Sequence, residues 1–304
     1  MNNYDDLFNN SSDNNDKIDK SKDKNKNTPF DKDAWVEKKR QERAEAYELL
    51  DEATAEIVSD GERFRDYLNT QAQFDRYSVS NALLIAFQRP GATKVADFGT
   101  WKDDDVSVNK GEKAITILEP GNEYTREDGS TGFSVNVKKV FDISQTNSDA
   151  NVKRRTPDAR AAIKALIASA PCAVVLVEKL DNCNARYSPD KNEIWIVKGL
   201  EANEIFRALS YEICIARAAQ KDIDRKDGAF GSYCASYILC ERNGFDTGDF
   251  NFDRVPERFA DVDNKEVRKE LGEIRDMANE ISQDMNRQFE AMDKNKRSRD
   301  DGAR

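Results

Sequence analysis

The chain of 304 residues contains no histidine, and this absence limits the chemistry that it can perform. Histidine is the commonest metal ligand in proteins and a usual ligand of catalytic zinc. The sequence therefore excludes a working metallopeptidase of the kind whose zinc is held by histidines.

Cysteines are few, and all five lie in the second half of the chain: Cys172, Cys183, Cys214, Cys234 and Cys240. Their number is odd and no two are spaced as C-x-x-C, which argues against both a disulfide framework and a zinc site made of cysteines alone. We expect these residues to be buried free thiols.

Long apolar runs are absent as well. No stretch approaches the roughly 18 residues that a membrane span requires, and residues 1–27 lack the basic and apolar regions of a signal peptide. We therefore expect a cytoplasmic protein without a membrane partner.

Charge, by contrast, is abundant: Asp, Glu, Lys and Arg make up 35% of the residues, against about 25% in a typical globular protein. The net charge of −10 argues against a general nucleic-acid coat protein, because phosphate binding depends on Lys and Arg releasing counterions. Any contact with DNA must be local.

The hydrophobic pattern predicts an α+β protein with two domains. Residues 1–29 are rich in Asn, Asp, Lys and Ser and predict a disordered tail. Helical periodicity from Asp31 gives way to strand-like alternation after a Pro-Gly breaker, so residues 30–147 predict a first α+β domain. Its predicted strands are 114–118, 132–137 and 139–143, and the polar residues 148–157 predict a linker.

The second half predicts another α+β domain, residues 158–292, followed by a charged tail, residues 293–304. One helix and two strands come first, and three helices follow. The last three predicted helices are 201–220, 232–243 with Gly244 as C-terminal cap, and 264–292.

The first of these three helices carries a motif without its ligands. The stretch Ala208–Ala216 resembles the ligand helix of zinc metallopeptidases of the ImmA/IrrE-like type, in which His-Glu-x-x-His holds the metal. Tyr211 and Ile215 stand at the two histidine positions, and neither a neutral phenol nor an isoleucine replaces an imidazole. Glu212 keeps the position of the general base.

Residues 232–240 resemble the second helix of that family, which commonly brings an acidic ligand, yet no Asp or Glu occurs between Asp227 and Glu241. The resemblance therefore implies a degenerate, catalytically silent zincin-like domain. It has no catalytic residue beyond a vestigial Glu212, and we expect neither a metal nor a cofactor.

Two alternatives for this region stay open. One is a thiolate metal site rebuilt from Cys214 with Cys234 or Cys240, although buried cysteine is also a common core residue. The other is an ordinary amphipathic helix on which Glu212 faces solvent.

Four segments of the first half resemble, in order, the N-terminal domain of ArdC-like antirestriction proteins. They are Arg76–Ile85 with Gln88, Phe98–Lys102, Lys110–Lys113 and Val140–Thr146. The resemblance implies that this domain binds single-stranded DNA. It also implies that the protein is carried on a conjugative or other mobile element, where it shields incoming DNA from restriction. That family joins the domain to a C-terminal zincin-like domain, as the second half suggests independently.

Sequence-tolerant binding of single strands needs aromatic rings for base stacking beside a cationic groove for the backbone. Residues of suitable type in the matching segments are the candidates for DNA binding: Arg76, Tyr77, Asn81, Gln88, Trp101, Lys102, Lys110, Lys113 and Gln145. Further aromatic side chains are Phe87, Phe98 and Tyr124, and further cationic ones are Arg89, Lys94, Lys138 and Lys139. Phe87 and Trp101 also fit a role in the core, which is the commoner place for an aromatic residue in a domain of this size.

Charge is the main objection to this interpretation, because residues 30–147 carry 16 Lys or Arg against 23 Asp or Glu, a net charge of −7. We therefore expect DNA binding with a short footprint and a strong dependence on salt. The alternative hypothesis is an acidic protein-interaction module, a pseudo-peptidase that engages a host or conjugation protein.

Overall fold

The computed structural model describes residues 31–125, 128–148 and 156–301, with side chains up to residue 294. The predicted tail, residues 1–29, and most of the predicted linker lie outside the described residues. The described residues up to Lys39 belong to one unit and those from Arg40 onward to a second, to which all contacts below belong.

Three helices open the described chain, in the region where helical periodicity begins at Asp31 and ends at the Pro-Gly breaker. They are α1 (Lys32–Val58), α2 (Gly61–Gln73) and α3 (Val79–Gln88). Helices α2 and α3 begin at Asp60 and Ser78, whose side chains accept hydrogen bonds from backbone N–H groups of the first turn.

A first, antiparallel sheet of three strands follows, with one short helix after its first strand. Its elements are β1 (Val95–Ala96), α4 (Phe98–Asp103), β2 (Ile115–Thr125) and β3 (Thr131–Asp142), and the strand order is β1-β3-β2. The strands predicted at 132–137 and 139–143 form one continuous strand. Lys138, which interrupts the apolar pattern, lies within the ladder opposite Ile117.

The second half forms a mixed sheet with helices around it. Its elements are α5 (Ala159–Ala168), β4 (Ala173–Val177), β5 (Ala185–Ser188), β6 (Glu193–Val197), α6 (Ala202–Ala219), α7 (Arg225–Asn243), α8 (Val255–Phe259) and α9 (Asn264–Asp301). The strand order is β4-β6-β5, in which β4 runs parallel and β5 antiparallel to β6. The α+β prediction is confirmed. None of the helices in the described ranges is both long and apolar enough to span a membrane.

Two helices are longer than predicted. Helix α7 begins at Arg225 and not at Ser232, because Asp224 caps it by accepting the backbone N–H of Asp227. Helix α9 continues to Asp301, through residues predicted to be a loose charged tail, since Lys and Arg are good helix formers. Gly244 ends α7 as predicted, in the left-handed conformation with φ of 73°.

The two halves share one hydrophobic core. Phe64 and Leu68 of α2 are fully buried in the same cluster as Phe206 of α6, Ile238 of α7 and Leu271 of α9. A smaller cluster lies against the first sheet and contains Phe74, Ile85, Ile115, Ile117 and Val140. The predicted linker therefore does not separate two independent cores.

Gly61 marks a close approach between the two halves. A Cβ atom at this position would lie 2.8 Å from the backbone carbon and oxygen of Phe252. A larger residue would therefore push the start of α2 away from the segment around Phe252. The ring of Phe252 in turn packs 5.5 Å from that of Phe64, centroid to centroid. The contact is thus made by backbone and side chains together.

Candidate nucleic-acid interface

A groove of about 850 Å³ lies beside the start of α3 and is lined by residues of α1, α3, the β1–α4 turn and the long strands β2 and β3. Three aromatic rings and two pairs of opposite charges line it: Tyr47, Tyr77 and Phe133, with Arg76, Lys138, Asp97 and Glu119. Aromatic rings beside cations are the side chains that single-stranded nucleic acid requires.

Phe133 and Tyr47 are the accessible rings of this groove, with exposed fractions of 61% and 44%. Tyr77 is half-buried, and its ring packs edge-on against Phe74 with centroids 5.4 Å apart. Burial raises the pKa of Tyr77, so the phenol is neutral at physiological pH. Two exposed rings and one half-buried ring therefore line the same groove.

Of the two cations in the groove, Lys138 is already paired with carboxylates. The Nζ atom of Lys138 lies 3.0 Å from Oδ2 of Asp97 and 3.5 Å from Oε2 of Glu119. The hydrogen bond from the backbone N–H of Thr100, followed by that from Lys138, lowers the pKa of Asp97 to about 2. With Arg76 exposed at the rim, the four ionised side chains of the groove carry no net charge.

Two predicted DNA-binding residues, Asn81 and Gln88, bind the edge of β2 instead. The side-chain amide of Asn81 donates to the carbonyl of Leu118 at 2.7 Å and accepts its N–H at 2.8 Å. Gln88 pairs in the same way with Thr116, with both distances 2.9 Å. These amides satisfy the backbone groups of an edge strand, as a neighbouring strand would, so they are committed to the fold.

Trp101 is also a structural residue, with an exposed fraction of 1%. Its indole N–H donates to the carbonyl of Phe141 at 2.9 Å, and the ammonium of Lys94 lies 4.8 Å from the ring centre. The prediction that Trp101 stacks on bases is therefore corrected: the ring fills the space between α4 and β3.

Gln145 is buried in the turn that follows β3. Its side chain accepts the N–H of Asp142 at 2.9 Å and donates to the carbonyl of Lys113 at 2.8 Å and to Oε2 of Glu112 at 3.0 Å. This side chain joins the segment just before β2 to the end of β3. It is not available to a base, which corrects its prediction as a DNA contact.

Among the predicted DNA-binding residues, Arg76 and Tyr77 share the groove with an accessible side chain. Lys102, Lys110 and Lys113 are exposed but do not line it. Sequence reasoning missed Tyr47 and Phe133. The available signal for Phe133 was the pattern of its strand, in which apolar residues alternate with Ser134, Asn136 and Lys138 and Phe133 is the largest apolar residue of the series.

In the second half, the carboxylate of Glu212 is buried and fully engaged. Its exposed fraction is 4%, and its Oε2 accepts the backbone N–H of Tyr187 in β5 at 2.7 Å. Arg225, the first residue of α7, donates to Oε1 at 3.2 Å and also to Oε2. The alternative in which Glu212 faces solvent is wrong, because this ion pair ties α6, α7 and β5 together.

Arg225 also faces Tyr211, with its guanidinium carbon 6.0 Å from the centre of that ring. Burial lowers the pKa of Arg225, but the hydrogen bond and charge of Glu212 outweigh it and raise the pKa above its usual value. A permanent cation therefore stands next to the one motif position that is retained. The side chains here do not fit a metal ion, since a guanidinium holds the carboxylate and the two histidine positions are occupied by Tyr211 and Ile215.

The cysteines do not provide a substitute site. Cys214, Cys234 and Cys240 are buried, and burial raises the pKa of each thiol, to about 12 for Cys240. In the absence of a metal ion these thiols are therefore protonated. Within residues 31–125, 128–148 and 156–294, no group of three potential Cys, Asp or Glu ligands converges.

Comparison with known proteins supports the resemblance of the first half. Residues 45–161 match the family described as the N-terminal domain of anti-restriction factor ArdC. An uncharacterized protein of Bacillus anthracis is 33% identical over 105 residues, which are 34% of this chain and 18% of that protein. The chain thus matches less than a fifth of the length of this relative.

The fold is similar to that of a solved antirestriction protein over both halves. The crystal structures of ArdC from plasmid R388, metal-free and Mn(II)-bound, superpose on 69% of this chain with a TM-score of 0.51 and 17% identity. The matched part is 86% of the metal-free chain and 85% of the Mn(II)-bound chain. At this level of identity the similarity establishes the fold.

Proposed function

We propose that this protein binds single-stranded DNA in the groove beside α3 and serves as an antirestriction accessory protein of a conjugative or other mobile element. The observation that carries the proposal is the groove itself, in which Phe133, Tyr47 and Tyr77 lie beside Arg76 within the ArdC-like residues.

In this proposal Phe133 and Tyr47 stack on bases, and Arg76 contacts a phosphate. Such stacking contributes about 1–3 kcal/mol per base and does not depend on base identity. The groove has three rings, and among the described residues Arg76 is its one cation without a carboxylate partner, so the footprint is a few nucleotides long. Binding weakens with salt, because its electrostatic part comes from counterion release.

The second half acts without catalysis in this proposal. A general base in a metallopeptidase must take a proton from a metal-bound water. Both oxygens of Glu212 are held by Arg225 and the N–H of Tyr187, and the positions of the two imidazoles are Tyr211 and Ile215. The domain contributes packing to the shared core and surface for partners.

The test is a fluorescence-anisotropy titration with a short single-stranded oligonucleotide at low salt, using the full chain and Phe133→Ala. We expect the substitution to weaken binding by roughly 5- to 100-fold, the loss of one stacked base. Phe98→Ala is the matched control, because Phe98 is an equally exposed ring outside the groove. Duplex DNA should bind more weakly than the single strand.

Two outcomes would overturn the proposal. One is the absence of binding at low salt, and the other is an equal loss of affinity for Phe133→Ala and Phe98→Ala. Retained binding in Phe133→Ala with loss in Lys110→Ala and Lys113→Ala would move the site to the exposed lysines.

A further inference from the structure

A second groove, of about 700 Å³, lies between the first half of α7 and the first half of α9. Its floor is apolar, formed by Ile274 and Met277 of α9 and by Ile223, which is partly exposed. Gly228 and Gly231 of α7 leave the groove open, since a side chain at Gly231 would meet only Ile274, at 3.7 Å. The groove is thus a trough with helices as its walls.

The wall formed by α9 is strongly acidic. Its groove-lining residues include five acidic side chains and one basic one: Glu266, Glu270, Glu273, Asp276 and Glu280, with Lys269. Across the groove Arg258 pairs with Glu270, and Lys221 lies 3.7 Å from Glu280. With Asp227 included, six acids face three bases, so the lining retains a net charge of −3.

We propose that this acidic groove binds a basic amphipathic helix of a partner protein. From Glu266 to Glu280 the wall extends over about 21 Å at 1.5 Å per residue, the length of about four helical turns. A helix of that length can place an apolar stripe on Met277 and the exposed Ile223, above the buried Ile274. Its basic side chains would lie against Glu273 and would compete with Arg275 for the carboxylate of Asp276. This is the helix-in-groove mode of recognition.

Charge selects this occupant over others. A nucleic-acid strand and an anionic lipid surface are repelled by a lining with an excess of carboxylates. A second copy of this chain, with its net charge of −10, is also disfavoured. The inference does not depend on DNA binding in the groove beside α3, because the two grooves share no lining residue.

The experiment uses the full chain and a fluorescein-labelled peptide of about 16 residues, made of Lys, Arg, Leu and Ala with leucines three and four residues apart. Its comparators are a scrambled peptide of the same composition and a peptide with Glu in place of Lys and Arg. We expect saturable binding of the first peptide and at least about tenfold weaker binding of the other two.

Two variants test the location. Glu273→Lys/Asp276→Lys should weaken binding about tenfold or more, while Glu290→Lys/Asp293→Lys, two acids with the same spacing on α9 outside the groove, should change it less than about twofold. Gly231→Leu should block the groove without a change of charge. Gly272→Leu is its control, because an added Cβ atom at Gly272 meets no atom within 4 Å. Thermal unfolding confirms that each variant is folded.

Equal binding of the amphipathic and scrambled peptides would overturn the proposal, since it would show charge attraction without a groove. Unchanged affinity in both Glu273→Lys/Asp276→Lys and Gly231→Leu would do the same, as would the absence of saturable binding.

Discussion

At the scale of single residues, Asp97 decides how much positive charge the groove beside α3 offers. Its carboxylate caps α4 by accepting the N–H of Thr100 and also holds Lys138 at 3.0 Å. One of the two cations that line the groove is therefore neutralised by its own neighbours. In the proposed function, DNA either displaces this pair or depends on Arg76.

We predict that Asp97→Asn increases the affinity for a short single strand several-fold. Asparagine still caps a helix, so α4 is retained while Lys138 loses one of its two carboxylates. Anisotropy titrations at several salt concentrations should show tighter binding and a steeper salt dependence. Asp103→Asn, at the exposed end of α4 and outside the groove, is the control.

Because the pKa of Asp97 is about 2, its carboxylate is ionised well above that pH and the pair with Lys138 is intact. The lowered pKa stabilises the folded state above the ordinary carboxyl pKa, and this stabilisation is lost only as the pH falls through about 2. The gain in Asp97→Asn should therefore be the same at neutral and mildly acidic pH. Unchanged affinity in this variant would show that Lys138 does not contact the strand.

At the scale of elements, the pair of Glu212 and Arg225 joins α6, α7 and β5. Removal of one partner from a buried ion pair typically costs about 3–5 kcal/mol. Arg225 is one-third exposed, so solvent compensates part of this loss. We predict that Arg225→Met lowers the free energy of unfolding by about 2 kcal/mol.

Urea unfolding of single and double variants measures this coupling. Arg225→Met/Glu212→Gln should recover part of the loss, because the double variant leaves no buried unpaired charge. Arg186→Met, which removes another cation near Tyr211, should have a smaller effect. Additive effects of Arg225→Met and Glu212→Gln would contradict a role of the pair in joining these elements.

At the scale of the whole molecule, the shared core makes the two halves dependent on each other. Phe64 and Leu68 of the first half are buried in one cluster with Phe206, Ile238 and Leu271 of the second. An isolated first half would expose these side chains to water, at a cost of about 1.5–3 kcal/mol for each.

We predict that a fragment of residues 40–148 has no cooperative thermal transition, whereas a fragment from Arg40 to Arg304 unfolds in one step. The second fragment is the control, because the chain from Arg40 onward is one compact unit. Circular dichroism at increasing temperature distinguishes the two cases. A sharp transition in the short fragment would show that the first half folds independently.

Much of the fold could be predicted from the spacing of apolar residues and from the Pro and Gly residues that end helices. The helices α1, α2 and α3 were predictable because their apolar residues recur at helical spacing and Arg89-Pro90-Gly91 ends the third one. Helix α7 was shortened in the prediction because Gly228 and Gly231 weaken the helical signal. Strand β5 was missed, since its four residues include Arg186 and Ser188 and carry no strong pattern.

The candidate site was less predictable than the fold. Residue type could not distinguish Asn81, Gln88 and Gln145 from DNA contacts, because backbone groups and bases form the same hydrogen bonds with an amide. It could not distinguish Trp101 either, because an aromatic ring suits a core as well as a stacked base. Phe133 and Tyr47 lie far apart in the chain, and only the tertiary structure brings β3 and α1, which carry them, to the same groove.

The sequence by itself determined that no imidazole can bind a metal in this protein, since no fold can supply a residue that the chain lacks. Tertiary structure decided what became of the retained carboxylate. Glu212 and Arg225 are 13 residues apart, and the turn between α6 and α7 places them in contact. A buried carboxylate requires a partner, and here a guanidinium from the next helix provides it.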